Sequence, residues 1–145
     1  VREEHGLAYS VYSSVNAFKD TGFLNIYAGT SPAKAKDVLR LVKQELRDLR
    51  DNGPTADELE VAKEHPKGSP LLGLESTSGR MANLARPALY FGRQLSLEET
   101  LVGVERVTLA RVHKLARQMF EGQSLRLAAV GRVDRLRISE ESLRL

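Results

Sequence analysis

The sequence contains no cysteine and no tryptophan, and only 6% of its 145 residues are aromatic. Disulfides, thiolate metal sites, cysteine nucleophiles and thiol redox chemistry are therefore excluded. The redox character of its compartment stays open, because a lack of cysteine fits either side of a membrane. Histidine is scarce as well, and His5, His65 and His113 stand too far apart for a local metal box. Neither H-E-x-x-H nor the inverted H-x-x-E-H pair occurs, so no zinc-peptidase ligand helix is present. A Gly-x-Ser-x-Gly elbow and a G-x-x-x-x-G-K-[ST] phosphate loop are also missing. Read from its residues alone, the chain carries no catalytic centre and no metal site. No apolar run approaches the roughly 20 residues of a membrane span. No signal-peptide pattern opens the chain, which starts at Val1 with Arg2, Glu3 and Glu4 and reads as a cut or processed piece.

What is present begins with charge. The net charge is +3, unevenly spread: residues 106–145 carry 9 basic and 4 acidic side chains, whereas the rest is slightly acidic. The basic residues of this tail, Arg126, Arg132, Arg135 and Arg137 among them, are dispersed, and no aromatics interleave with them to stack bases. They read as a solvated face, with no nucleic acid expected. The length suits one domain over residues 1–145. A compact fold of this mass would expose roughly 7,400 Å², against roughly 23,000 Å² unfolded, so a core is attainable.

Residues 8–18 alternate as a strand, with Val11, Val15 and Ala17 on one face. Lys19-Asp20-Thr21-Gly22 makes a turn in which Gly22 is free to take a positive φ, and residues 23–29 return with Leu24, Ile26 and Ala28 on one side. Thr30-Ser31-Pro32 signals a helix start by hydroxyl cap and proline. The following stripe of Ala35, Val38, Leu39, Val42, Leu46 and Leu49 fits a buried helical face that ends at Asp51-Asn52-Gly53-Pro54. Thr55 to Glu58 and Ser96 to Glu99 each supply a hydroxyl cap and an acidic first turn, with Glu58 at a capping-box position.

Between those caps, Pro66, Pro70 and Pro87 interrupt helical composition. An interior proline costs about 3 kcal/mol or more, so the pattern predicts a helix to about His65, an irregular stretch, and a second helix that begins near Leu71 to Glu75. Val112, Leu115, Ala116, Met119 and Phe120 form a further stripe, and Leu125 to Gly131 alternates as a third strand. The order is strand, strand, four or five helices, strand: an α+β fold with an antiparallel sheet and helices packed on one face. Strand edges need partners, and a missing partner segment would supply them.

The run VREEHGLAYSVYSSV, followed by the hairpin D-x-G-x-x-x-I-Y-A-G-T from Asp20 to Thr30, resembles the insulinase/pitrilysin-type zinc metallopeptidases, and most of all their bacterial members similar to mitochondrial processing peptidase. The resemblance continues through Glu58 to Lys63, Leu74-Glu75-Ser76, Arg80-Met81, Leu89 to Gly92 and Ala128 to Gly131. It implies the C-terminal, zinc-free half of a clamshell peptidase, lacking its first strands. Zinc is then expected in a partner half, on the same polypeptide or a separate subunit, in a dimer or pseudo-dimer that encloses and cleaves peptides or unfolded polypeptides. The chain alone would be inactive. The resemblance favours a soluble protein of the bacterial cytoplasm or periplasm. It also assigns substrate contact to Arg2 and Tyr9, an Arg and a Tyr seven residues apart, near the scissile bond. The plainer readings are a terminal surface charge and a packed strand aromatic. The alternative function is a non-catalytic structural or protein-interaction homologue of that half. The three prolines depart from the family's uninterrupted helix.

Overall fold

A computed structural model describes residues 6–73, 76–123, 125–134 and 136–145. It holds strands β1 (Ser10–Ala17) and β2 (Gly22–Gly29) and helices α1 (Ala35–Asp51), α2 (Ala56–Gly73), α3 (Thr77–Phe91), α4 (Leu97–Glu105) and α5 (Leu109–Phe120). The fold class is α+β, as the sequence implies. Two compact units divide the chain: residues 1–52 with 116–145, and residues 53–115.

In the first unit β1 and β2 form the expected antiparallel hairpin, with Val15 opposite Leu24 and Val11 opposite Ala28. Leu24 and Ile26 pack against a cluster of Leu46 from α1 and Ala116 and Phe120 from α5. Val42, Leu49, Leu125 and Leu145 complete that packing. The opposite face of the hairpin carries a stacked Tyr12–Tyr27 pair, with ring centroids 5.0 Å apart. Helix α1 buries Val38, Leu41 and Leu46. Leu39, assigned to the buried stripe by spacing, is only half-buried.

Gly22 differs from the sequence expectation: it is absent from the positive-φ glycines. Its place is dictated by close approach, since a Cβ there would stand 2.9 Å from the Asn16 carbonyl oxygen. The segment Leu125–Gly131 forms no strand among the described residues. The alternation is real, but a ladder needs a neighbour, and this segment meets one only at its start, where the Leu125 N–H donates to the Leu143 carbonyl at 2.9 Å. Val130, at 102% exposure, has nothing over it.

The second unit corrects the proline reading. Helix α2 continues through Pro66 and Pro70 to Gly73, and α3 continues through Pro87. Each proline removes one N–H from the ladder. The carbonyls that lose a partner include those of Ala62 and Asn83, both in exposed residues where solvent can satisfy the acceptor. The break falls later than predicted, with Ser76 capping α3 by accepting the Gly79 N–H at 2.9 Å. The predicted capping box at Thr55 is present, and the predicted cap at Ser96 is a capping box as well. The Glu58 carboxylate accepts the Thr55 N–H at 2.8 Å and the Glu99 carboxylate accepts the Ser96 N–H at 3.0 Å, each reciprocated by a hydroxyl. Among the described residues no helix is long and apolar enough to cross a membrane.

Candidate functional site

Of the two residues singled out by resemblance, Arg2 lies outside the described residues. Tyr9 sits immediately before β1, where its N–H donates to the Gly29 carbonyl at 2.7 Å and extends the hairpin ladder by one bond. The chain leading into it is tied down twice more. The Thr30 hydroxyl donates to the Leu7 carbonyl, and the Lys34 ammonium donates to the Gly6 carbonyl at 3.1 Å. Gly6 has a φ of 57°, in the left-handed region that favours glycine. Ala8 is buried beneath, while the Tyr9 side chain is 76% exposed. The backbone of residues 6–9 is thus pinned to the end of β2 and the approach to α1, and the phenol is presented to solvent from a fixed base.

Thr30 and Lys34 were not legible as site residues from the sequence. Thr30-Ser31-Pro32 reads as a helix cap, but the Ser31 side chain makes no capping bond and the Thr30 hydroxyl is used on Leu7 instead. Proline at the start of the turn Pro32–Lys34 does behave as expected. A signal lay in Lys34: a cation just ahead of a helix is out of place for the helix dipole and invites a different partner.

The perturbed ionisable groups serve structure. Arg50 donates to Asp51 through Nε at 2.7 Å and Nη2 at 3.0 Å, which holds the Asp51 carboxyl below its ordinary range and raises the guanidinium. Glu58 is lowered by the backbone and hydroxyl bonds from Thr55. Glu99 is lowered first by the Ser96 N–H and then by Arg93, whose Nη1 is 2.9 Å away. His113 packs against Gly53, whose added Cβ would lie 3.0 Å from the imidazole Cγ. Among the described residues no group of three or more His, Asp or Glu converges as metal ligands. The described donors do not form a set that fits a zinc ion.

Sequence comparison places this geometry in a family. A family model described as the peptidase M16 inactive domain matches residues 1–65, which hold the hairpin, Tyr9 and its anchors. An uncharacterized zinc protease, YmxG of Bacillus subtilis, is 41% identical over 120 residues, covering 83% of this chain and 29% of that protein. The non-peptidase homolog YmxG of Helicobacter pylori is 30% identical over 131 residues, covering 90% of this chain and 30% of that protein. A crystal structure of a conserved protein from Enterococcus faecalis superposes with a TM-score of 0.70 at 26% identity, covering 81% of this chain and 27% of that one. The chain thus spans under a third of the length of the relatives it matches. On these matches the chain belongs to the peptidase M16 family, the insulinase/pitrilysin type, with residues 1–65 matching its inactive domain.

Proposed function

We propose that this chain is the substrate-holding, non-zinc half of a zinc metalloendopeptidase, acting on peptides or unfolded polypeptides together with a homologous half that holds the metal. The observation that carries the reading is the match to the inactive domain of a peptidase family across the segment that presents Tyr9. Attack on an amide builds negative charge on the carbonyl oxygen, and donors fixed before the reaction stabilise that charge without reorganising. The Tyr9 hydroxyl supplies a neutral O–H donor and Arg2 a permanent cation with a planar fork of N–H groups. The zinc, in this reading, activates water from the other half. The residues of this chain grip and orient the scissile segment. The anchors at Gly6, Leu7 and Gly29 support the assignment because they restrict where the phenol can go.

A second reading is favoured by one observation. A relative 30% identical to this chain is named a non-peptidase homolog, so a structural or protein-interaction role for this half is chemically open. Peptide hydrolysis by the chain combined with its zinc-bearing half separates the two. Tyr9→Phe and Arg2→Ala should each lower turnover by about ten-fold or more, within the range for one lost transition-state donor, with association of the halves retained. Unchanged turnover in both variants would refute the substrate-holding role and leave the structural one.

A further inference from the structure

Helix α1 carries a second pattern that the hydrophobic stripe does not use. Lys36, Arg40, Lys43 and Arg47 recur at intervals of four, three and four residues. At 100° per residue they fall within a sector of about 60°, roughly opposite the side that packs on the hairpin. Of the four acids of the helix, Asp37, Glu45 and Asp48 lie well outside that sector and Asp51, at the last position, borders it. Neighbouring like charges at these spacings repel, so a uniform stripe is unfavourable for the helix by itself. Compensation along the stripe is weak: Arg40 has Asp37 at 3.9 Å, an exposed pair, and Arg47 acts on Asp51, whose carboxylate is already held by Arg50.

The C-terminal segment turns this stripe into a groove. Arg137, Ile138 and Ser142 form its second wall, and the open space between the walls is about 280 Å³. The wall is fastened to α1 by the Lys43 ammonium, which donates to the Ser142 carbonyl, and by Arg47, which donates to the Arg144 carbonyl at 3.2 Å. The Leu145 N–H donates to the Gln123 carbonyl at 3.0 Å and holds the segment from the other side. Five cations line the groove, Leu39 and Ile138 give it aliphatic patches, and no carboxylate is among its described lining residues.

From this arrangement we infer that the groove binds an acidic polypeptide segment. The cations are strung along about 16 Å of helix, eleven residues at 1.5 Å each, which is longer than a single phosphate. The groove runs beside α1, not at its N-terminus, so it offers none of the converging backbone N–H groups of a phosphate cradle. Among its described lining residues there is no aromatic ring on which a base could stack. A concave trough also suits a strand or helix edge better than a flat bilayer. Carboxylates fit the guanidinium forks, and intervening aliphatic side chains fit Leu39 and Ile138. Tyr9 and its anchors share no residue with the groove, so this proposal and the peptidase reading fail separately.

The test is fluorescence anisotropy of the full chain with a short labelled peptide of alternating glutamate and leucine. Competitors are the same peptide with glutamine for glutamate, a single-stranded oligonucleotide, inorganic phosphate, and phosphatidylserine vesicles. The glutamate peptide should bind, bind more weakly as salt rises, and outcompete the other probes. Arg137→Glu, on the exposed wall, and Arg40→Glu, on the helix, should each weaken it about ten-fold with unchanged far-ultraviolet circular dichroism. Arg137→Gln keeps the test open if a charge reversal disturbs folding, with a smaller loss expected. Equal binding of the glutamine peptide, tighter binding of the oligonucleotide, phosphate or vesicles, or insensitivity to the Arg137 substitutions would each overturn the proposal.

Discussion

Phe120→Ala should be the most damaging single truncation in the first unit. Phe120 is 7% exposed and shares its cluster with only two other buried residues, Leu46 and Ala116. A buried aromatic side chain removes about 150–250 Å² from water, which at about 25 cal/mol per Å² is roughly 4–6 kcal/mol as an upper estimate. The compact denatured state trims this and the residual cavity adds to it, so about 3–5 kcal/mol is expected. That is a large part of the roughly 5–15 kcal/mol that a domain commands in total. Urea unfolding followed by circular dichroism should show a lower midpoint for the variant at an unchanged slope. Val130→Asp is the matched control: at 102% exposure it should change stability by less than about 0.5 kcal/mol. A loss above about 2 kcal/mol in Val130→Asp, or a near-neutral Phe120→Ala, would refute the placement of the core and revive Leu125–Gly131 as a buried strand.

Two further outcomes follow from local geometry. Glu58 and Glu99 are both held below the ordinary glutamate range, so the folded state binds fewer protons there than the unfolded one. Their contribution is complete above the unfolded value of about 4.3 and disappears as pH falls through the lowered folded values. Thermal melts should therefore lose more between neutral pH and about pH 3 in the parent than in a Glu58→Gln/Glu99→Gln double variant, and parallel curves would refute the assignment. Gly53→Ala combines a φ of 74° with a Cβ 3.0 Å from His113 Cγ, and should destabilise by roughly 1–3 kcal/mol. Gly103→Ala, inside α4 with open space around it, should stabilise by about 0.5–1 kcal/mol, and equal signs for the two would contradict both backbone assignments.

The features legible in the sequence are those whose cause lies within a few residues. Both capping boxes need only a hydroxyl and a glutamate three positions on, and the hairpin needs only two alternating runs and a short turn. Gly53 ends α1 by its own left-handed backbone. Features governed by distant neighbours were misread. Leu125–Gly131 has a strand's alternation, but alternation cannot state whether a ladder partner exists. Pro66 and Pro70 oppose a helix locally, yet α2 continues across them. Thr30 looked like a cap because its partner, Leu7, stands 23 positions earlier. The basic groove was invisible for the same reason. Arg137 read as one of several dispersed arginines, although it faces a cationic stripe ninety-odd positions earlier on α1.

The surface itself weighs on the choice between an independent domain and a half. Six residues make up the buried apolar set, while Tyr12, Phe23 and Tyr27 on the hairpin, Leu84 and Leu89 on α3 and Leu115 on α5 stay substantially exposed. Exposed apolar side chains within each unit are surface that a partner could cover, which is compatible with both the substrate-holding and the structural readings and does not choose between them. The choice rests on one exposed phenol, held at its backbone by Gly29 and Thr30, and on whether turnover falls when its oxygen is removed.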